Sequence, residues 1–296
     1  MSETNQKTDY FPYLLLVPAL FITLLIVAWP LAETVRLSFT DASLNPNEEY
    51  IGFANYERIL SRRFPEVIGR TFLWMSLSVA LKLTIGLMGA LLLNAAVPGR
   101  TLFRILTMPP WIIPIAIGMF IWGWMYNGQF GMISGLMQRI GLADGPLEFL
   151  AAKDTAFLAT VISDVWIGVP MVAVYLLAAM QSVSTDMYEA AWVDGASRWY
   201  RIRRITIPLI TPSIVTIGIL SAIWTFNSFD AIWILTQGGP RSGTTTMIID
   251  TYKVAIDRFR YGEGAARAVL IVLIMLSFSL AYYMVLRKLS KSGATK

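Results

Sequence analysis

Two long apolar runs are separated by residues 181–207, a polar segment whose centre is Glu189-Ala190-Ala191-Trp192-Val193-Asp194-Gly195-Ala196. Four arginines follow this centre, Arg198, Arg201, Arg203 and Arg204, and Pro208 then opens the next apolar run. A connection that only joined two membrane helices would need neither this length nor this order of charges. The segment is therefore expected to have a defined structure of its own.

Local signals predict a helix, a hinge and a second helix across residues 181–207. Ser184 suits the N-cap of a short helix, and Asp186 then lies in the first turn, where a negative charge favours the helix dipole. Gly195 can end this helix, because glycine adopts the left-handed cap conformation at little cost. The basic part then leads to Pro208, which suits the first turn of the next helix. This helix–hinge–helix segment is expected to lie along one membrane face.

The composition predicts an all-α integral membrane protein. Of the 296 residues, 56% are hydrophobic and only 15% are charged, and the mean hydropathy is +0.59. A soluble domain carries about 25% charged residues. The net charge of +5 does not indicate nucleic-acid binding, because the charges fall where membrane topology would place them. The absence of Cys and His excludes disulfides, Cys/His metal sites and His-dependent catalytic triads.

Six apolar segments are long enough to cross a hydrocarbon core of about 30 Å. We predict transmembrane helices at residues 11–32, 71–97, 103–126, 155–180, 208–235 and 268–286. Pro109, Pro110 and Pro114 should kink the third. The intervening residues 127–150 look interfacial. The run at 11–32 is expected to be retained, since the tail before it lacks the basic region of a cleaved signal.

This arrangement predicts one membrane domain, residues 11–287, between an N-terminal tail at 1–10 and a C-terminal tail at 288–296. Six spans place both termini on one side. Lysine and arginine are denser on that side, which also holds residues 181–207, than on the other. The positive-inside rule therefore predicts that both termini and this segment are cytoplasmic.

Three charged residues fall inside predicted spans: Lys82, Asp164 and Asp230. Such residues are costly in a membrane and indicate a polar cavity or a charged partner. Trp224 and Asn227 precede Asp230 at steps of three, so one arc of the fifth helix would carry all three side chains. A carboxylate, an amide and an aromatic face together suit a sugar. All five are candidate substrate contacts, but Asp230 could equally hold the fold, and a structural role is favoured for Asp164 and Lys82.

The central segment resembles the EAA loop of the membrane subunits of binding-protein-dependent ABC importers. The resemblance rests on Glu-Ala-Ala, on Asp194-Gly195-Ala196 and on Ile205-Thr206-Ile207-Pro208-Leu209, with Ile202 where the family usually has Phe. It implies a type I ABC importer permease fold, in which this loop forms the coupling helix and docks into a cleft on an ATPase subunit. The implied ATPase-coupling residues are Glu189, Ala190, Ala191, Asp194, Gly195, Arg203 and Pro208.

A second stretch resembles the first of two unlike permeases in sugar importers such as the maltose and glycerol-3-phosphate systems. It comprises Leu235-Thr236-Gln237-Gly238-Gly239-Pro240, then Tyr252, then Gly262-Glu263-Gly264-Ala265-Ala266. The resemblance implies a bacterial cytoplasmic-membrane importer of a sugar or sugar derivative. It also implies a second related permease, two ATPase subunits with ATP and Mg, and an extracytoplasmic binding protein. No cofactor or metal is expected on this chain.

The sequence contains no glycine-rich phosphate loop, so any ATP that drives transport must bind another chain, and this subunit is expected to be non-catalytic. Transport would proceed by alternating access, with Glu189 fixing the loop through hydrogen bonds or an ion pair. Changing Gly195 to Asp should uncouple transport without removing the protein from the membrane. One alternative is an ion-coupled secondary carrier that uses Asp164 and Asp230. A membrane enzyme is another, although no nucleophile–base set is visible.

The chemical class of the solute stays open at this stage. A neutral mono- or oligosaccharide is implied by the family resemblance. Lys82 leaves an anionic sugar derivative or a polyol as alternatives.

Overall fold

The structure is a computed structural model that describes residues 11–45, 47–61, 64–95 and 98–293. The predicted N-terminal tail at 1–10 lies outside these residues, as do residues 294–296 of the predicted C-terminal tail. Residues 288–293 continue the last helix.

The described part of the chain is helical, and its only extended pairing is one β-bridge between Thr40 and Tyr50. The helices are α1 Phe11–Thr23, α2 Trp29–Leu37, α3 Ala54–Leu60, α4 Phe64–Asn94, α5 Arg100–Thr107, α6 Pro109–Ile112, α7 Ile115–Met125, α8 Met132–Arg139, α9 Lys153–Gln181, α10 Thr185–Val193, α11 Arg198–Arg201, α12 Ile207–Phe226, α13 Asp230–Thr236, α14 Met247–Tyr252 and α15 Tyr261–Gly293. Single π-helical turns at Leu24–Ala28 and Ile202–Thr206 join α1 to α2 and α11 to α12.

Five helical stretches of the described chain are long and apolar enough to cross a membrane. They are Leu14–Leu37, Phe64–Asn94, Lys153–Gln181, Arg198–Phe226 and Tyr261–Tyr282. A bent pair of helices, Arg100–Ile112 and Ile115–Met125, is also long and apolar enough to cross a membrane when its two parts are taken together. With this pair counted as one span, the structure has the six spans that the sequence predicts.

The third span is broken, whereas the sequence predicts only a kink. Its two parts meet at an angle of 95°. Ile113 and Pro114 both have extended backbone, with ψ near 132°. Proline lacks the N–H that would continue the helix, and its ring pushes the preceding residue out of the helical region. The predicted position of the disturbance was therefore right and its size was underestimated.

The predicted bounds of the fifth span were wrong at both ends. The helix begins at Arg198, ten residues before Pro208. A π turn at Ile202–Thr206 makes it continuous with α12, because the Ile207 N–H bonds to the Ile202 carbonyl. At the other end α12 stops at Phe226, and a new helix starts at Asp230. The Asn227 side chain donates to the Ile223 carbonyl at 2.9 Å and so competes with the backbone for the last helical turn.

The last span starts at Tyr261, seven residues earlier than predicted. Charges in this region suggested a loop, but they are paired within the helix. Glu263 accepts a hydrogen bond from Arg267 at 2.7 Å and forms an ion pair with Arg260. Because Glu263 and Arg267 satisfy each other one turn apart, both are buried without breaking the helix.

The described residues divide into two compact units, those within 1–62 and 251–272 and those within 63–250 and 273–296. In the first unit an aromatic cluster forms around Phe39, Phe53 and Tyr56. The Asn55 amide beside it donates to the carbonyls of Ser38 and Thr40, at 3.0 and 2.7 Å. This cluster fixes the connection that follows α2 to the short helix α3.

The core of the second unit is built by α4, α9 and α12. Ala90 of α4, Leu176 of α9 and Ile217 of α12 are among its fully buried side chains. Helices α4 and α9 approach closely at Gly86, where an added Cβ would lie 2.6 Å from the Val172 side chain. Small residues permit such contacts between membrane helices.

We expect Gly86→Ala to destabilise the protein, by about 1–3 kcal/mol, because the methyl group would overpack against Val172. Gly89→Ala, one turn along the same helix, is the matched control, since its Cβ would meet only the Ala173 methyl group at an ordinary 3.4 Å. The measurement is the thermal midpoint of each purified variant in detergent. Equal midpoints for the two variants would contradict the proposed close contact.

Candidate functional site

A cavity of about 690 Å³ in the second unit is lined by residues of α4, α9, α12 and α13 and by Trp111 and Ile115 from the broken third span. Its lining includes all five residues that the sequence analysis proposes as substrate contacts: Lys82, Asp164, Trp224, Asn227 and Asp230. The size is that of sites that bind small molecules. Thus the structure brings together one basic, two acidic, one amide and one aromatic side chain from four helices and the break between α12 and α13.

Lys82 and Asp164 form an ion pair at one side of this cavity. The Lys82 Nζ lies 2.7 Å from the Asp164 Oδ2 and donates to the Thr225 Oγ1 at 2.9 Å. Both residues are buried, with 6% and 9% of their surfaces exposed. Gly168 makes room for the lysine, because an added Cβ there would meet its Cε at 2.5 Å. The lysine charge is therefore already compensated within the protein.

Trp224, Asn227 and Asp230 do not share a helical arc, because α12 ends between the first and the last of them. They reach the same cavity because the chain turns at residues 227–229. All three side chains are exposed. In the described chain no donor faces the Asn227 amide oxygen and no cation pairs with the Asp230 carboxylate. These two groups are thus acceptors on the cavity wall without a described partner.

Trp111 and Phe229 line the same cavity, although neither is among the candidates predicted from the sequence. Trp111 is 52% exposed and follows directly on Pro109 and Pro110, in the broken third span. Phe229 lies in the break before α13 and stacks on Trp233 with ring centroids 5.3 Å apart. The prolines beside Trp111 were a sequence signal for a break in the span. Only the fold shows that Trp111 borders this cavity.

The helix–hinge–helix prediction for residues 181–207 is confirmed. The Ser184 hydroxyl accepts a hydrogen bond from the Asp186 N–H and caps α10. Gly195 has a φ of +72°, and the N–H groups of Gly195 and Ala196 bond to the carbonyls of Trp192 and Ala191 at 3.0 and 2.9 Å. This pair of bonds is the glycine-dependent Schellman ending of a helix. The chain then turns into α11.

Helix α10 is joined to the start of the next span by one polar contact. The Tyr188 hydroxyl lies 3.0 Å from the Thr206 Oγ1, in the π turn before α12. Much of the rest of α10 is open, with Met187, Trp192 and Val193 exposed, Val193 at 81%, beside the exposed charged residues Asp186 and Glu189.

The implied coupling residues occupy different places in this segment. Glu189 is exposed and has no bonding partner among the described residues, so its role in fixing the loop stays a prediction. Ala190 is exposed on α10 and Ala191 is half-buried. Asp194 caps the C-terminus of α10, Arg203 is exposed in the π turn, and Pro208 is the second residue of α12. Within the described ranges no three His, Cys, Asp or Glu side chains group as a metal site would need.

Comparison with known proteins decides the family. Residues 10–292 match the family described as "Binding-protein-dependent transport system inner membrane component". The chain belongs to this family. It is therefore a non-catalytic, multi-pass permease subunit of the inner membrane that acts with a solute-binding protein.

Two relatives illustrate how far the similarity of the permease extends. A probable ABC transporter permease protein of Brucella suis biovar 1 is 30% identical over 273 residues, which are 92% of this chain and 94% of that protein. The trehalose/maltose transport system permease protein MalF of Thermococcus litoralis is 35% identical over 285 residues, 95% of each chain. The comparisons give no support to the alternative of an ion-coupled secondary carrier that uses Asp164 and Asp230.

The permease also shares its fold with a solved ABC importer. A chain in the crystal structure of a bacterial alginate ABC transporter, in complex with an alginate pentasaccharide-bound periplasmic protein, superposes with a TM-score of 0.84. The match covers 96% of each chain at 22% sequence identity. The type I permease fold that the central segment implies is thus confirmed.

Proposed function

We propose that the permease carries a sugar or sugar derivative through the cavity between α4, α9 and α12–α13. The observation that carries this proposal is the convergence of Asn227, Asp230 and the Trp224 ring on one cavity wall. Amide and carboxylate oxygens accept hydrogen bonds from sugar hydroxyls, and the indole face packs on the C–H surface of a sugar ring. The relative named for trehalose and maltose transport supports the same class of solute.

The charges around the cavity favour a neutral solute. The Lys82 ammonium is held by Asp164 and Thr225, so it has little capacity left for an anionic sugar. Asp230 is then the one lining carboxylate that no described cation compensates, and it would repel an anion. Of the solutes left open by the sequence, a neutral mono- or oligosaccharide or a polyol therefore fits best.

We propose a complex with a second related permease, two ATPase subunits that bind ATP and Mg, and an extracytoplasmic binding protein. Residues 181–207 and both termini would face the cytoplasm. The exposed side chains of α10, among them Met187, Trp192 and Val193, would then contact the ATPase. A single continuous helix, Arg198–Phe226, here called the long helix, runs from this segment to the cavity wall at Asn227. Its 29 residues span about 43 Å at 1.5 Å per residue, so a displacement of α10 can reach the solute directly.

Asp230→Asn is expected to raise the KM for transport about tenfold, since the carboxylate would lose charge-assisted hydrogen bonds to sugar hydroxyls. Asp230 is also the first residue of α13, where its charge favours the helix dipole. Asp154→Asn is the matched control, because Asp154 lies in the first turn of α9 and does not line the cavity. Equal transport kinetics for the two variants would show that Asp230 stabilises α13 and does not contact the solute.

The assembly is tested by purifying the chain, tagged at its C-terminus, from its native host in mild detergent. We expect a second six-span protein and two copies of a phosphate-loop ATPase for each tagged chain. A homo-oligomer without an ATPase, under conditions that preserve known importer complexes, would overturn the proposed complex. Uptake of radiolabelled neutral sugars by the reconstituted complex then identifies the solute.

A further inference from the structure

A second cavity, of about 490 Å³, lies at the Arg198 end of the helix Arg198–Phe226, whereas the proposed solute site lies at its Phe226 end. It is bordered by Asn94 at the end of α4, by Tyr188 of α10, and by Arg198, Arg201 and Thr206. These residues come from residues 181–207, here called the coupling segment, and from the end of α4. The cavity therefore lies at the depth where membrane helices end, and it is separate from the proposed solute site.

The chemistry of this cavity is that of an anion site. Two guanidinium groups border it, and no carboxylate is among the described residues of its wall. The Arg201 Nε is buried and has no hydrogen-bond partner in the described chain, and neither Arg198 nor Arg201 forms an ion pair there. A buried, unsatisfied guanidinium nitrogen is costly, and it is normally matched by an acceptor. Arg, Tyr, Asn and Thr donors together suit the oxygens of a phosphate.

We propose that this cavity binds a phosphate group, held by Arg198 and Arg201. Tyr188 already contacts Thr206 across the same cavity, at 3.0 Å. A phosphate bound there would join the end of α4, helix α10 and the start of the long helix. Occupancy would thus stiffen the coupling segment against the membrane domain. The phosphate can belong to an anionic lipid headgroup or to a soluble phosphorylated solute.

The test uses the intact complex with wild-type chain, with Arg198→Gln/Arg201→Gln, and with Arg204→Gln. The last variant is the matched control, because Arg204 is an exposed arginine of the same segment that does not border the cavity. Retention of phosphatidylglycerol is measured by native mass spectrometry after exchange from phosphatidylcholine discs that contain it. Binding of glucose 6-phosphate and of inorganic phosphate is measured by calorimetry in detergent.

We expect binding of one of these probes to weaken about tenfold or more in the double variant and to be unchanged in Arg204→Gln. Loss confined to phosphatidylglycerol assigns the cavity to lipid, and loss confined to the soluble probes assigns it to a phosphorylated solute. Equal binding of every probe by both variants overturns the proposal. Loss of the ATPase from the double variant, with no probe bound by wild type, also overturns it and makes the arginines a protein contact.

If the double variant does not assemble, Arg201→Lys provides the same test. Lysine keeps the charge but loses the two-pronged geometry of the guanidinium. We then expect measurably weaker probe binding than in Arg204→Lys. Equal binding by these two variants overturns the proposal.

Discussion

Gly195→Val is expected to lower ATP-driven transport about tenfold while the protein remains in the membrane. Gly195 has a φ of +72°, and no atom lies within 4 Å of an added Cβ. Valine would therefore fit sterically but would be strained by about 1–2 kcal/mol in this backbone conformation. Changing the turn relieves the strain and redirects α10 relative to the long helix. A loss of about 1.4 kcal/mol in coupling corresponds to a tenfold lower rate.

Gly141→Val separates this effect from general strain. Gly141 has a φ of +74°, open space around its Cα, and the same pair of hydrogen bonds at the end of α8. The two valine variants should therefore cost the same stability, but only Gly195→Val should impair transport. Gly195→Asn is a further control, since asparagine tolerates positive φ, and it should transport better than valine. Aspartate at 195 should act in the same direction as valine but less strongly.

The measurements are membrane abundance, ATPase activity stimulated by the binding protein, and solute uptake into vesicles. Loss of uptake with normal abundance is the signature of a broken coupling hinge. Normal uptake by Gly195→Val would remove the hinge role. Equal impairment by Gly141→Val would show that the loss comes from reduced stability and not from coupling.

Breaking the Lys82–Asp164 pair should have the largest effect on stability. Asp164→Asn leaves a buried ammonium group without its counter-charge, and Lys82→Met leaves a buried carboxylate without one. Removing one partner of a buried pair costs about 3–5 kcal/mol, because the remaining charge is uncompensated. We expect each single variant to lose most of its folded protein in a thermal-stability assay.

Lys82→Met/Asp164→Asn should recover most of this loss, because neither charge remains. A double variant that is no more stable than either single variant would contradict the pairing. Transport by the double variant then decides the second question, whether the pair only holds α4 against α9. A stable double variant that no longer transports would show that the pair also contacts the solute or its path.

The sequence was sufficient wherever the decisive interactions are local. Ser184 and Gly195 define the ends of α10, because an N-cap and a positive φ depend on one or two residues and their neighbours. The spans could be predicted because a run of apolar side chains is stable in lipid whatever its neighbours are. The family resemblance of residues 189–208 was also a property of the linear chain.

Errors arose where a distant or paired group changes the local balance. Glu263 and Arg267 looked like loop residues, but they neutralise each other inside a helix. Pro208 looked like the start of the span, but a π turn before it, closed by the Ile207 N–H on the Ile202 carbonyl, extends the span back to Arg198. Asn227 looked like a helical position, but its amide ends the helix. Each outcome depends on hydrogen bonds that a hydropathy pattern does not represent.

By itself, then, the sequence determined the membrane class, the number and approximate positions of the spans, the helix–glycine–helix coupling segment and the set of five polar and aromatic candidates. Only the tertiary structure decided that Lys82 and Asp164 neutralise each other, that Trp224, Asn227 and Asp230 meet through a break in a helix, and that Trp111 joins them. The physical reason is that burial and charge pairing are properties of contacts between helices. Residues 82, 164 and 225 are far apart in the chain, and only packing makes the lysine unavailable to a solute.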